Sequence, residues 1–354
     1  MPLRPRLRLP RRTLSNRTLS SRVDWYVLAL LATIGLAAVL PAEGGSADVV
    51  GATTTVAIGL LFFVYGARLS PQAAFSGLRH WRLHLPILCV TFVVFPALGL
   101  AFTALPSAVL GAELATGLLF LCVLPSTVQS AVAFTSLARG NVAAAICSSS
   151  FSSMLGVFLT PLLAAVLLRG ELGGGVRFSA DQALSVVVLL LVPFGLGQAL
   201  RPWIADRIGR HRRITMVCDR GSILLVVYSA FSQGVTAGIW GRLSPVRLGG
   251  LLVLCALLLA LVLTLITWTA SRLGVPYEDR VTVVFCGSTK SLASGLPIAT
   301  VLFAGSDVGL AVLPLMLYHT LQLMVCAAVA RRWSRPAVRE EHGPAASPAP
   351  PLTA

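Results

Sequence analysis

A chain of 354 residues that is 56% hydrophobic and only 12% charged is not an ordinary soluble domain, in which about 25% of residues are charged. Its mean hydropathy of +0.84 points to a polytopic membrane protein. The formal net charge of +15 does not point to nucleic acid, because the arginines are scattered along the chain with no basic patch interleaved with aromatics. Anionic lipid headgroups and membrane topology explain them better.

In chain order, residues 1–23 form a basic segment expected on the cytoplasmic side. Read as the start of a signal peptide, it would be cut near Pro41 and leave nine spans, so an uncleaved first span is preferred. Apolar windows of about 17 to 25 residues, long enough to cross ~30 Å of hydrocarbon, then recur ten times. They fall near 24–40, 49–67, 83–104, 114–138, 142–168, 182–200, 215–238, 248–271, 281–303 and 308–330. The last stretch, 333–354, is rich in Pro and Ala and is expected to be a disordered cytoplasmic tail.

Arginine placement sets the orientation, since cytoplasmic loops retain positive charge near span ends. With both termini inside, 23 of the 27 arginines fall on the inner side, leaving Arg169, Arg177, Arg242 and Arg247 outside. The seven cysteines lie in or beside apolar windows and never in CxxC spacing, so they imply neither a disulfide framework nor a zinc site.

Two segments resemble each other. "LPSTVQSAVAFTSLARGNVAAAI" (124–146) and "CGSTKSLASGLPIATVLFAGSDVGLAV" (286–312) each open with Ser-Thr after a Pro or Gly. Each then turns at "ARGN" or "AGSD" and enters a further apolar window. Ser126-Thr127 and Ser288-Thr289 are 162 positions apart, Val142 and Val308 166 apart. An offset of five spans from one copy to the other makes this an inverted repeat, with halves at about 24–168 and 182–332.

The polar residues of these segments lie deep. Lys290, the only lysine, is nine residues beyond Val281, about 14 Å at a rise of 1.5 Å per residue and so near the midplane. Pro125 lies at a similar depth. Pro125 removes a backbone donor, and Gly287 to Gly295 with Pro297 weaken the other span, so both helices are expected to be interrupted halfway. Helix breaks in corresponding places in two halves mark a binding site, and half-helix N-termini there carry partial positive charge.

Candidate binding residues follow from this placement. Ser126, Thr127, Gln129 and Ser130 flank the first break, and Ser288, Thr289, Ser291 and Ser294 the second. Ser149 shares a helical face with Ser153 by i, i+4 spacing, and His319 and Gln322 share one in the last span. All the acids lie outside the spans or at their ends, so no carboxylate faces Lys290 at the centre. A lysine there costs about 2.5 to 3.5 kcal/mol on insertion scales and requires a compensating role. The open readings are an ammonium that binds an anionic solute, a built-in cation on half-helix carbonyl ends, a proton carrier, or a structural tie.

"LARGN" with the Ser-rich span and "LTPLL", "STKSLASGLPIA" and "LPLMLYHTLQLMV" resemble the bile acid:sodium symporter family. The likeness is to its divergent branch, which holds the seventh mammalian member of the bile-acid carrier family and many bacterial proteins. It covers roughly residues 25–332. The resemblance implies ten spans in two inverted five-span repeats, with two crossed broken helices in a core domain and spans one, two, six and seven in a panel. It also implies organic-anion substrates.

The departures from the family's pattern are specific. Where sodium-coupled relatives place a glutamate and a glutamine in the second broken helix, this chain has Ser288 and Leu292. The family's Ser-Asn pair becomes Ser130-Ala131 or Ala131-Val132, and two hydroxyl positions match Ala145 and Ser149. Two-sodium coupling is therefore not expected, and sodium or a proton is left open as the coupling ion.

The sequence thus reads as an all-α integral membrane protein, 24–332 being a transporter domain that moves a small organic anion by alternating access. A non-transporting membrane regulator or scaffold is the alternative. No enzyme activity, cofactor or nucleic-acid partner is expected. The arginine-dominated composition suggests a bacterial plasma membrane.

Overall fold

The computed structural model describes residues 25–68, 81–103, 111–168, 187–236, 238, 244–303 and 308–334. The basic segment 1–23 and residues 335–354 of the expected tail lie outside them; Trp333 and Ser334 of that tail are helical. The described residues form twelve helices and no strand. In the first half these are α1 (Trp25–Val39), α2 (Gly45–Arg68), α3 (Trp81–Thr103), α4 (Ala112–Val123), α5 (Val128–Leu137) and α6 (Val142–Leu167). In the second they are α7 (Val192–Arg210, entered through a π turn at Val187–Leu191), α8 (Arg212–Thr236), α9 (Pro245–Arg272), α10 (Tyr277–Ser288), α11 (Leu292–Leu302) and α12 (Val308–Ser334).

Local chemistry fixes several helix ends. Asn141 starts α6 by accepting from the Ala144 amide at 3.0 Å, and Ser244 starts α9 by accepting from the Arg247 amide at 3.3 Å with Pro245 behind it. These are the short polar caps and first-turn proline that helix N-termini favour. At "ARGN", Arg139 takes a left-handed φ of 58° and ends α5, and the Gly140 amide turns back to Thr135 O at 2.8 Å. The same turn docks on α10, because the Asn141 amide meets Glu278 O at 3.0 Å and Asn141 Nδ2 meets Asp279 Oδ1 at 2.9 Å.

Among the described residues, eight helical stretches are long and apolar enough to cross a membrane, one of them α10 and α11 together. The pair α4 and α5, bent by 63°, makes nine if counted as one span. The chain is an integral membrane protein. The first expected span, 24–40, falls on α1, whose 15 residues reach only about 22 Å at 1.5 Å per residue, short of ~30 Å of hydrocarbon.

The helices gather into two groups. α1, α2, α7 and α8 pack on one another, and α3 to α6 pack with α9 to α12. Contact between the groups runs mainly through α8 against α11 and α12. Where α2 crosses α7, the backbones touch: a Cβ on Gly66 would lie 2.1 Å from Phe194 O, and one on Gly197 2.1 Å from Phe63 O. Small residues at membrane helix crossings permit this approach. Helix starts recur at a near-constant interval: Ala112 and Tyr277 are 165 positions apart, Val128 and Leu292 164, Val142 and Val308 166.

Candidate functional site

The first break runs from Leu124 to Thr127, both extended, with ψ of 152° and 140°. Pro125 cannot donate, so the helix stops and leaves carbonyls without helical partners. Six carbonyls, from Leu121 to Ser126, find other donors. Leu121 O accepts from the Leu124 amide (3.3 Å) and Val123 O from Thr160 Oγ1 (2.9 Å). Pro125 O accepts from the Ser291 amide (2.9 Å) and Ser126 O from Ser153 Oγ (3.3 Å). Cys122 O and Leu124 O, at 2.9 and 2.7 Å, accept from Lys290 Nζ. The Pro125 ring lies against Gly156, where an added Cβ would come within 2.5 Å of it.

The second break runs from Thr289 (ψ 144°) to Ser291 (ψ 109°). Gly287, Gly295 and Pro297, from which a weakened helix was expected, all lie inside α10 or α11 instead. Hydroxyls make this break: Thr289 Oγ1 donates to Phe285 O at 2.8 Å, and Ser291 Oγ caps α11 by accepting from the Ser294 amide at 3.2 Å. The two N-caps, Thr127 and Ser291, are 164 positions apart, two more than the Ser-Thr alignment suggests. The breaks touch through Ser291 N to Pro125 O, and Ser126 Oγ lies 3.3 Å from Thr289 Oγ1.

Lys290 is fully buried. Besides Cys122 O and Leu124 O, its ammonium donates to Thr91 O at 2.9 Å and sits 4.0 Å above the Phe95 ring. Thr91 O is available for a local reason. Residues Val90–Val94 of α3 are wound as a π-helix, in which the Phe95 amide bonds Val90 O. The next amide in that register would serve Thr91 O, and it belongs to Pro96, which has none. Hydrogen bonds to a charged group contribute about 1.5 to 3 kcal/mol each, so three outweigh the ~3 kcal/mol insertion cost. Gln322 clamps the Lys290 main chain from the other side: its Oε1 accepts from Lys290 N at 2.8 Å and its Nε2 donates to Lys290 O at 2.9 Å.

Beside the touching breaks is a cavity of about 600 Å³, within the range of small-molecule sites. The first turns of α5 and α11 both open into it, and α2, α6, α8 and α12 close the sides. Six of the sequence-derived candidates line it: Thr127, Gln129, Ser130, Ser291, Ser294 and His319. The other six, Ser126, Ser149, Ser288, Thr289, Lys290 and Gln322, do not line it and are fully buried. Ser149 donates to Cys286 Sγ at 3.3 Å, and Ser288 O accepts from Tyr318 OH at 2.8 Å. Thr127 makes no side-chain cap on α5, and the buried Ser130 Oγ has no hydrogen-bond partner among the described residues.

Sequence reasoning missed the far wall. Tyr65 and Arg68 of α2 and Asp219 and Arg220 of α8 line the cavity, with Tyr65 OH donating to Asp219 Oδ1 at 2.7 Å. Arg68 and Arg220 stand close enough to act electrostatically on that carboxylate. Asp219 is read from sequence as a span-end residue. The available signal was a lone acid eight residues into α8, followed by an apolar run.

A family model described as the SBF-like CPA transporter family matches residues 24–335. The chain belongs to the SBF-like CPA transporter family. Among relatives, it is 54% identical over 312 residues to the "Uncharacterized protein PA2026" of Pseudomonas aeruginosa, covering 88% of this chain and 93% of that one. It is 47% identical over 313 residues to the "Putative symporter YfeH" of Escherichia coli K12, again covering 88% and 93%. The mouse "Sodium/bile acid cotransporter 7" is 30% identical over 314 residues, covering 86% and 91%. Family membership is thus with transporters rather than enzymes, and it spans all twelve helices of the fold.

Proposed function

We propose that this SBF-like protein is a secondary transporter that carries a small organic anion through the cavity by alternating access. The observation that carries the reading is the convergence of two half-helix N-termini, one of them uncapped, on one cavity that also holds Arg68 and Arg220. Half-helix N-termini at membrane depth favour anionic groups of a solute. The relatives named as symporter and cotransporter support coupled movement. On this reading the protein has ten spans in two inverted repeats at 24–168 and 182–332, with both termini cytoplasmic in a bacterial plasma membrane. The group α1, α2, α7 and α8 is the panel against which the crossed breaks rock.

Lys290 then acts as a resident cation. Its ammonium is held by three carbonyls and a ring and neutralises the C-terminal end of α4. The solute meets the helix N-termini instead. Purified protein in liposomes tests the function: saturable uptake of an organic acid is expected, and it persists when sodium is replaced by choline. Failure to take up or bind any member of a panel of organic acids overturns it.

A further inference from the structure

Resting on the reading of this cavity as an organic-anion site, we propose that His319 takes up a proton when the anion binds, so that anion and proton cross together. The geometry starts at Gln322. Its amide is held at both ends by the main chain of Lys290, with Oε1 accepting from the amide at 2.8 Å and Nε2 donating to the carbonyl at 2.9 Å. Turning the amide over would set oxygen against oxygen and N–H against N–H, so its orientation is fixed. The second hydrogen on Nε2 then points at His319 Nδ1, 2.9 Å away.

A ring nitrogen that accepts a hydrogen bond carries no proton. The ligand-free arrangement therefore holds His319 as the neutral tautomer with its proton on Nε2. A proton added to Nδ1 would face the Gln322 donor, and that contact must open. The step is a proton transfer alone: hydronium or the buffer acid gives its proton to Nδ1 and leaves as water or the buffer base, the Gln322 contact breaks, and the ring becomes an imidazolium. Gln322 keeps both bonds to Lys290, so the break itself stays clamped.

Charge around the ring supplies the coupling. α2 brings Tyr65 and Arg68 to the cavity, and α8 brings Asp219 and Arg220. α5, α6 and α11 add no titratable side chain to its lining. On α12 itself, Tyr318 is engaged with Ser288 O. Cys122 of α4 and Cys255 of α9, the other helices packed on α12, do not line the cavity. The Lys290 ammonium is committed to its carbonyls. One carboxylate thus faces two guanidinium groups and two positive helix ends. Asp219, the carboxylate of that lining, is already bonded to Tyr65, so a bound anion is the further negative charge that favours an imidazolium there. Linkage is reciprocal, so a proton that is favoured by the anion favours the anion in turn.

The test uses naphthalene-2-sulfonate, an anion that does not titrate, with the purified full chain in detergent. Calorimetry in buffers of different ionisation enthalpy reads proton uptake on binding. Over the range in which imidazole titrates, roughly pH 5.5 to 7.5, wild-type affinity is expected to rise up to about tenfold per unit fall in pH for one linked proton. His319→Gln is expected to bind without proton uptake and without that slope. Nitrogen NMR of the histidine rings in the ligand-free wild type is expected to show His319 protonated on Nε2 alone, which needs no variant to fold. A proton on Nδ1, binding without proton uptake, or unchanged uptake in a folded His319→Gln overturns the coupling while leaving the anion site standing. Absence of any sulfonate binding at every pH overturns the anion reading and the coupling with it.

Discussion

The two helix breaks solve one problem by different means. At the first, a proline stops the helix, the chain bends by 63°, and an ammonium meets two of the freed carbonyls. At the second, hydroxyl groups end one helix and cap the next, α10 and α11 still run as one span, and only neutral donors, Tyr318 and Gln322, reach the carbonyls. The cation required by the first break is carried by the chain of the second. Charge is placed asymmetrically on an arrangement whose helix starts recur almost evenly, and each break depends on the other.

Removing the charge should break the comparison most completely. Lys290→Met keeps the bulk but leaves Thr91 O, Cys122 O and Leu124 O without a donor, each at about 1 to 3 kcal/mol. A loss of at least 3 kcal/mol is expected in thermal unfolding of detergent-solubilised protein. In Lys290→Ala, added sodium or ethylammonium should restore part of the melting temperature, since the vacated carbonyls and the Phe95 ring suit a small cation. No recovery with either would show that the site accepts only the tethered amine.

Gln322→Leu should come next, at about 2 kcal/mol for the two main-chain bonds of Lys290. It loosens the Lys290 main chain that carries the ammonium to the first break, so Lys290→Met with Gln322→Leu should cost less than the two losses added together. Gly156→Ala presses a Cβ to 2.5 Å from the rigid Pro125 ring, whereas Gly295→Ala, at 2.6 Å, meets the movable ends of Leu124 and Leu315. Overpacking of about 1 to 3 kcal/mol is expected for the first and clearly less for the second. Equal melting temperatures would mean that the first break is no stiffer.

The smallest contrast lies at the caps. Ser291→Ala removes a cap bond and should destabilise by about 1 kcal/mol. Thr127→Ala, at an N-cap with no side-chain bond, should leave the melting temperature unchanged. A substantial loss in Thr127→Ala would show that its hydroxyl serves the fold rather than the cavity.

Much of this site was legible because membrane burial makes local anomalies conspicuous. Pro125 inside an apolar window, Lys290 fourteen ångströms deep by counting, and Ser-Thr pairs in two similar segments all marked the breaks. The same local signals located the second break but credited it to its glycines and proline, since a Thr hydroxyl bonding Phe285 O is invisible to composition. They also could not divide the twelve candidate residues, of which six line the cavity and six are sealed behind it. Serine on a membrane helix serves either purpose equally well until its neighbours are known.

By itself the sequence determined the apolar windows, the places where helices must stop, and the depth at which a single lysine is buried, because these follow from residue types over a few turns. Tertiary structure decided what the lysine touches. Its three acceptors lie 199, 168 and 166 positions away. One of them is free only because a π turn hands it to a proline. It likewise brought Asp219 to Tyr65 across 154 positions. Such partners are selected by close packing among helices distant in sequence, and no local period or propensity encodes them.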